Sequence, residues 1–391
     1  MNLNKSLPQK INFNKSISNH KELLNYNILY RNILVIGGAG TIGSSYIKQM
    51  LKYRPSKITV VDINENGLTE LTRDLRSSSL LDYNPEYITY PVNLLSNTFD
   101  KIFNSESWHV VANFSAHKHV RSEKDKISVE ALIKNNVFGA VKLLNLCELN
   151  KPKYFFSVST DKAANPVNIM GASKSLMEKL ILSKKDHFRV STARFANVAF
   201  SNGSLLDGFI HRLNKRQPLS CPEDIKRFFV TPEQSGQICL LATFLGVSGN
   251  IFFPKLDFHN DQVYFKDIAL DFLKENGFEP KLVHSEKEAK EFEFDKYPTQ
   301  YPIYLFKTDT SGEKTYEEFY TEDEDFRINT YDSLGFINPR VIKISFEDVV
   351  SDFENVFDNL DSDKSDIVAI IKNYIPDFMH IETGKHLDQK M

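Results

Sequence analysis

The 391-residue sequence is poor in cysteine, with three, and contains a single tryptophan. Cys147, Cys221 and Cys239 fit neither a Cys-x-x-Cys motif nor a disulfide framework, so a cytoplasmic compartment is the default. No uninterrupted apolar run reaches the ~18 residues that a membrane-crossing helix needs, so no membrane insertion is expected. Excess charge is also missing: 48 Lys and Arg face 51 Asp and Glu, for a net charge of −3. That balance argues against a nucleic-acid or polyanion binder, which would carry a basic surplus. The first thirty residues lack the apolar core and small-residue cleavage site of a signal peptide. There is no internal repeat, no low-complexity tract, and no metal is expected. What is present, 41% hydrophobic and 25% charged residues, is ordinary for a globular chain. The length suits one large domain with an accessory lobe, or two domains sharing a cleft.

The informative pattern begins at Asn32. Ile33 to Ile36 is a short apolar run followed by glycines, as a buried parallel strand reads. A helix is expected over Ser44–Tyr53. Further strands are expected over Lys57–Asp62, Tyr87–Val92, His109–Asn113 and Tyr154–Ser159, and a long helix over Ser128–Asn150. Strands alternating with helices imply a parallel sheet covered on both faces. From about Ser191 the rhythm changes. Longer loops, Pro218, Pro222, Pro232 and a Phe-rich segment suggest a smaller lobe over the strand ends, with Phe278–Phe306 read as an insertion containing a turn. In the tail, Phe346, Val349, Val350, Phe353, Val356, Phe357 and Leu360 form one helical apolar stripe, for core packing or subunit contact. Ser365 is a candidate cap for a second helix. The division expected is an N-terminal extension over 1–30, a dinucleotide domain over 31–190, a lobe over 191–340 with some strands returning to the main sheet, and a helical tail over 341–391.

Gly37, Gly40 and Gly43 form a GxxGxxG loop, with Thr41 and Ile42, between the first strand and its helix. Such a loop brings backbone close to a pyrophosphate, and the helix start offers N–H groups to its charge. Asp62 ends the next strand 19 residues after Gly43. A carboxylate there accepts hydrogen bonds from an adenosine ribose and repels a 2′-phosphate, which favours NAD over NADP. Asn93 and Leu94 are expected near the adenine.

A second dense cluster, Thr160-Asp161-Lys162, begins where the fifth strand ends, the edge at which open parallel sheets bind ligands. An acid, an amine and a hydroxyl side by side can move protons at more than one position of a bound molecule. The bland alternative is a solvated Asp–Lys pair in a loop.

With these stretches the chain resembles the extended short-chain dehydrogenases/reductases, and within them the bacterial UDP-N-acetylglucosamine 4,6-dehydratases of polysaccharide biosynthesis. The matching segments are GGAGTIG at 37–43, SAHKHVRSE at 115–123, STDKAANPVNIMGASK at 159–174, RFANVAFSNGS at 194–204, KRFFVTPEQ at 226–234 and SGEKTYEEF at 311–319. The fold implied is a Rossmann-like, doubly wound α/β sheet with a smaller substrate lobe. The superfamily normally carries Tyr four residues before the Lys; here Met170 precedes Lys174. A thioether cannot exchange a proton. One branch of the 4,6-dehydratases is similar in having Met there beside an intact Thr-Asp-Lys.

The resemblance implies a reaction with tightly bound, recycled NAD: oxidation at C4, loss of water across C5 and C6, and hydride return to C6. It also implies roles. Asp161 is the acid at the 6-hydroxyl and takes the 4-hydroxyl proton. Lys162 is the base at C5, which requires a lowered pKa. Lys174 binds the nicotinamide ribose, Thr160 the sugar 4-oxygen, and Met170 packs beside the sugar. Lys118 faces cofactor and substrate, and His119 makes a structural hydrogen bond. Phe195 and Asn197 contact nicotinamide and nucleotide phosphate, Arg227 pairs with the diphosphate, and Glu313 closes the uridine end. Asp309-Thr310-Ser311 replaces the family's Arg-Pro before Gly-Glu-Lys, which leaves uridine against guanosine open. A homo-oligomer, at least a dimer, is expected through Ser128–Asn150 and Ala172–Ser183. Two rival readings stand beside the dehydratase: a nucleotide-sugar epimerase, which loses no water, and a non-catalytic NAD-binding protein, motivated by Met170.

Overall fold

A computed structural model describes residues 11–257, 260–340, 343–385 and 391. Fifteen strands follow in chain order: β1 (Asn32–Ile36), β2 (Lys57–Asp62), β3 (Glu86–Pro91), β4 (Val110–Asn113), β5 (Tyr154–Val158), β6 (Val190–Ala193), β7 (Asn197–Val198), β8 (Leu219–Pro222), β9 (Lys226–Val230), β10 (Ile251–Pro254), β11 (Gln262–Tyr264), β12 (Glu279–Val283), β13 (Gln300–Phe306), β14 (Phe326–Arg327) and β15 (Leu334–Ile337). Nine form one sheet in the order β14-β15-β10-β6-β5-β4-β1-β2-β3. It is parallel from β10 through β3, and β15 and β14 add antiparallel at one edge. The order reverses at β1, which pairs with β2 on one side and β4 on the other, so a crevice opens above its end.

Strand alternation assigns the core. Ile33 and Val35 of β1 join one apolar cluster, and Leu34 and Ile36 join the other. The helices, in chain order, are α1 (Phe13–Asn19), α2 (Lys21–Ile28), α3 (Thr41–Leu51), α4 (Glu65–Arg76), α5 (Asn97–Asn104), α6 (Lys126–Ile133), α7 (Gly139–Asn150), α8 (Ile169–Leu182), α9 (Leu205–Asn214), α10 (Pro232–Phe244), α11 (Phe265–Glu275), α12 (Glu286–Lys290), α13 (Phe346–Asp358) and α14 (Lys364–Tyr374). The first cluster is covered by α3, α4 and α10, with Phe13, Leu24 and Ile28 of α1 and α2 buried behind them. The N-terminal extension is thus packed onto the body from Ile11 onward, and Asn27 accepts hydrogen bonds from Lys153 and Tyr154.

The second cluster holds α5, α6, α7 and α8, and over them the tail hairpin α13–α14. Phe353 and Phe357 meet Phe138, and Lys179 donates to the Tyr374 carbonyl. The tail hairpin thus packs on α6 and α8, part of the helix surface expected to pair two copies. Five local expectations are corrected. The long helix is interrupted by a π turn at Lys134–Phe138. The cap of α14 is Asp363, in a capping box with Asp366, because its carboxylate reaches the Ser365 N–H at 2.6 Å. Leu360 is 96% exposed because α13 ends at Asp358. Residues 278–306 are no separate insertion: β12 and β13 extend β8 into a three-stranded parallel sheet, and Tyr301 and Ile303 are buried in the lobe's own apolar cluster. The expected turn ends at Thr299, since β13 begins at Gln300 and contains Pro302.

Among the described residues no helix is long and apolar enough to cross a membrane.

Candidate active site

A cleft of about 1160 Å³ runs along the C-terminal ends of the parallel strands. The loops after β1 through β6 supply one wall, and β7, β8, α9 and α11 supply the other. Gly37, Gly40, Thr41, Ile42, Gly43, Asp62, Asn93, Leu94, Lys118, Thr160, Asp161, Lys162, Met170, Lys174, Phe195, Asn197 and Glu313 all line it. Arg227 of β9 stands behind that lining, buried, with its guanidinium 3.1 Å from Glu313.

The glycine end has the shape and polarity to hold a dinucleotide. Gly37 has φ of +74°, and a Cβ there would lie 2.5 Å from the Ser115 nitrogen. A Cβ on Gly43 would lie 2.4 Å from the Gly37 carbonyl oxygen, so the turn closes only with glycine there. The start of α3 has no side-chain cap and no acid in its first turn, which leaves its N–H groups to an anion. Asp62 accepts from the Ala39 N–H and the Asn64 N–H, both at 2.9 Å, which fixes its carboxylate at the crevice rim. The neighbouring helix α8 is different: Asn168 accepts from Gly171, and both oxygens of buried Glu123 accept from the Ile169 and Met170 N–H groups. Burial pushes the Glu123 carboxyl up to about 7 against those two bonds.

At the reacting end, Asp161 and Lys162 form a short 3₁₀ turn directly after β5. Asp161 is 2% exposed. Its Oδ1 accepts from the Thr160 hydroxyl at 2.9 Å, the Lys162 N–H at 2.9 Å and Lys162 Nζ at 3.2 Å. Its Oδ2 is buried with no hydrogen-bond partner among the described residues, which marks the place where a ligand hydroxyl would be received. Thr160, expected on the sugar oxygen, lines the cleft with its hydroxyl donating to Asp161. Met170 is buried beside them. Lys174 Nζ donates to the Val158 carbonyl at 2.7 Å, and burial brings its pKa down to about 8.

The lowered pKa required of Lys162 is not what the surroundings produce. Burial alone would lower it, but Asp161 and Glu317 outweigh burial and the repulsion from Arg227, so the ammonium is held charged. Glu317 is a site residue that the sequence reading passed over. It is 3% exposed, with its carboxylate 3.6 Å from Lys162 Nζ and 3.6 Å from the Arg227 guanidinium. Asn136 was passed over too. Its amide accepts from the His117 N–H and donates to Ser173, tying the π turn to the loop after β4 and to α8. No linear motif signals either residue.

The tail reaches this site. Residues 379–385 run as a strap between the loop before α8 and the Gly-Glu-Lys loop: Met379 and Ile381 N–H groups donate to Pro166 and Val167, and Gly312 N–H donates to Ile381. Asp309 pairs with Lys385 at 2.7 Å, and the Ser311 hydroxyl donates to Glu382 at 2.7 Å. The residues that depart from the family's Arg-Pro thus bind the chain's own C-terminal segment.

A family model described as "Polysaccharide biosynthesis protein" matches residues 33–339. The chain is 29% identical over 79% of its length to an uncharacterised membrane protein of Methanocaldococcus jannaschii, covering 86% of that protein. It is 28% identical over 58% of its length to a Campylobacter jejuni protein named UDP-N-acetylglucosamine 4,6-dehydratase (inverting), covering 67% of it. The chain spans about half the length of two other curated relatives it matches. The fold is similar to that of Pen from Bacillus thuringiensis, with a TM-score of 0.66 at 22% identity, over 84% of this chain and 98% of the other. The shared fold is a Rossmann-like, doubly wound α/β sheet.

Proposed function

The chain belongs to the polysaccharide biosynthesis protein family, and on that premise we propose that it is an NAD-dependent nucleotide-sugar 4,6-dehydratase. It converts UDP-N-acetylglucosamine to the UDP-linked 4-keto-6-deoxy sugar for surface-glycan synthesis. The observation that carries this reading is Asp161 paired with Lys162 in the same cleft as the glycine loop, with Asp161 Oδ2 buried and unpartnered. The carbohydrate class and the uridine carrier rest on the likeness to the Campylobacter jejuni dehydratase.

A nicotinamide bound along the glycine loop supplies hydride acceptance from C4 and hydride return to C6. The chain's own groups handle the protons. Asp161 takes the 4-hydroxyl proton as C4 becomes a carbonyl, the task for which Met170 has no group. That carbonyl acidifies C5–H, and Lys162, once neutral, removes the proton. Asp161 then returns its proton to the departing 6-hydroxyl, which leaves as water, and Lys162 returns the C5 proton as the hydride arrives at C6. Lys174 orients the nicotinamide ribose, and Asp62 receives the adenosine ribose and disfavours a 2′-phosphate. No net oxidation results.

An epimerase shares the first oxidation but needs no acid at the 6-hydroxyl, so the Asp161–Lys162 pair argues against it. The test is incubation with UDP-N-acetylglucosamine without added NADH, read by mass spectrometry. Dehydration lowers the product mass by one water, whereas epimerisation leaves it unchanged. Full recovery of substrate across UDP- and GDP-linked sugars, with dinucleotide bound, would support the non-catalytic reading instead.

A further inference from the structure

Lys162 presents a conflict that the cleft itself resolves. A base must lose its proton, yet two carboxylates stand within 4 Å of this ammonium. Asp161 belongs to the same turn and has its own role. Glu317 comes from the segment between β13 and β14, 155 residues further on, and does nothing in the steps above. Its carboxylate is wedged between two cations, Lys162 on one side and Arg227 on the other, each at 3.6 Å. Arg227 is itself fixed by Glu313 at 3.1 Å and by donating to the Lys226 carbonyl at 2.8 Å. Three carboxylates thus alternate with two cations in a row of which Asp161, Glu317 and Arg227 are buried: Asp161, Lys162, Glu317, Arg227, Glu313.

We infer that Glu317 is the positioning residue of the catalytic pair, holding the Lys162 ammonium in the cleft and controlling when it gives up its proton. The inference rests on the dehydratase reading only for what Lys162 then does with C5–H. The charged groups facing Lys162 are Asp161 from its own turn, Glu317 from the segment after β13, and Arg227 from β9. Those facing Glu317 are Lys162, Asp161, Arg227 and Lys314. Burial raises the proton affinity of the Glu317 carboxyl, so a proton leaving Lys162 has an acceptor 3.6 Å away. The transfer breaks an N–H bond and forms an O–H bond within a pair that changes no net charge. Arg227 keeps the Glu317 carboxylate in reach, so the device needs both.

The test measures Lys162 directly. Competitive acetylation with acetic anhydride between pH 6 and 11, read on the Lys162 peptide by mass spectrometry, gives the midpoint at which the amine becomes free. In Glu317→Gln the midpoint is expected to fall by about 1–3 pH units, the range for removing a close opposite charge. The pH at which kcat/KM rises with UDP-N-acetylglucosamine falls with it. Glu317→Asp keeps the charge at greater distance and moves the midpoint down less, which keeps the test available if the Gln variant does not fold. A folded Glu317→Gln protein with an unmoved acetylation midpoint overturns the inference. A midpoint that moves while the kcat/KM profile stays put upholds Glu317's hold on Lys162 and instead removes Lys162 as the C5 base.

Discussion

Replacing Phe353 by alanine probes the tail hairpin as a separate cooperative unit. Phe353 has no exposed surface, and its ring lies 6.4 Å from that of Phe138 and 5.9 Å from that of Phe357. Truncating a buried Phe loses the transfer free energy of the ring and leaves a cavity, about 3–5 kcal/mol in all. The hairpin α13–α14 packs on α6 and α8 and adds no strand to the sheet. It can therefore open without unfolding the body, and the whole loss falls on that local opening. At 1.4 kcal/mol per tenfold, amide exchange over Phe346–Tyr374 should accelerate roughly 10²- to 4 × 10³-fold, while β1 and β4 keep their protection. Hydrogen-exchange mass spectrometry reads both. The undocked hairpin also uncovers the apolar faces of α6 and α8, so sedimentation velocity should show the variant self-associating more than the parent. Wild-type protection in α13 would mean that the ring contributes nothing at this interface. Equal loss in β1 and β4 would mean that tail and body unfold as one.

Other outcomes follow from single sites. Asp161→Asn keeps the shape of the turn but cannot give or take a proton; turnover should fall roughly 10²- to 10⁴-fold with dinucleotide binding intact, and undiminished turnover would remove Asp161 from the chemistry. Gly43→Ala places a Cβ 2.4 Å from the Gly37 carbonyl oxygen; dinucleotide affinity measured by calorimetry should collapse, and retained affinity would show that the loop has room. His109 is pushed down to about 4, first by burial and then by Arg31 and Lys153. The unfolded chain therefore takes up its proton first, so this contribution is complete above pH 6.5 and is lost as pH falls toward 4. Its size is at most about 3 kcal/mol. Urea midpoints of His109→Gln should fall less steeply than the parent's over that window, and parallel curves would refute the assignment.

The cleft's floor was legible because its signals are local. The apolar run before Gly37, the Asp at the end of β2 and the Thr-Asp-Lys after β5 each sit where a parallel strand ends, and strand ends can be read from a few neighbouring residues. Glu317 was hidden in an acidic pair: Glu317 and Glu318 look alike in sequence, yet one is 3% exposed and the other points to Lys314 at the surface. Ser365 seemed the better cap for α14 because capping depends on which side chain faces the free N–H groups, and Asp363 does. The replacement of Arg-Pro by Asp309-Thr310-Ser311 looked like a change in nucleotide recognition; its partners, Glu382 and Lys385, lie more than seventy residues away.

The order of apolar, glycine and acidic residues by itself determined the alternating strands and helices, the turn that only glycine can close, and the presence of an acid beside an amine at a sheet edge. Backbone geometry enforces these over short distances, so they are written in consecutive residues. Only the tertiary structure decided which copy of a repeated residue type turns inward, that the tail folds back over α6 and α8, and that Lys162 sits charged between two carboxylates. Those outcomes depend on burial and on Coulomb interactions between groups far apart in the chain, and both exist only once the chain has closed on itself.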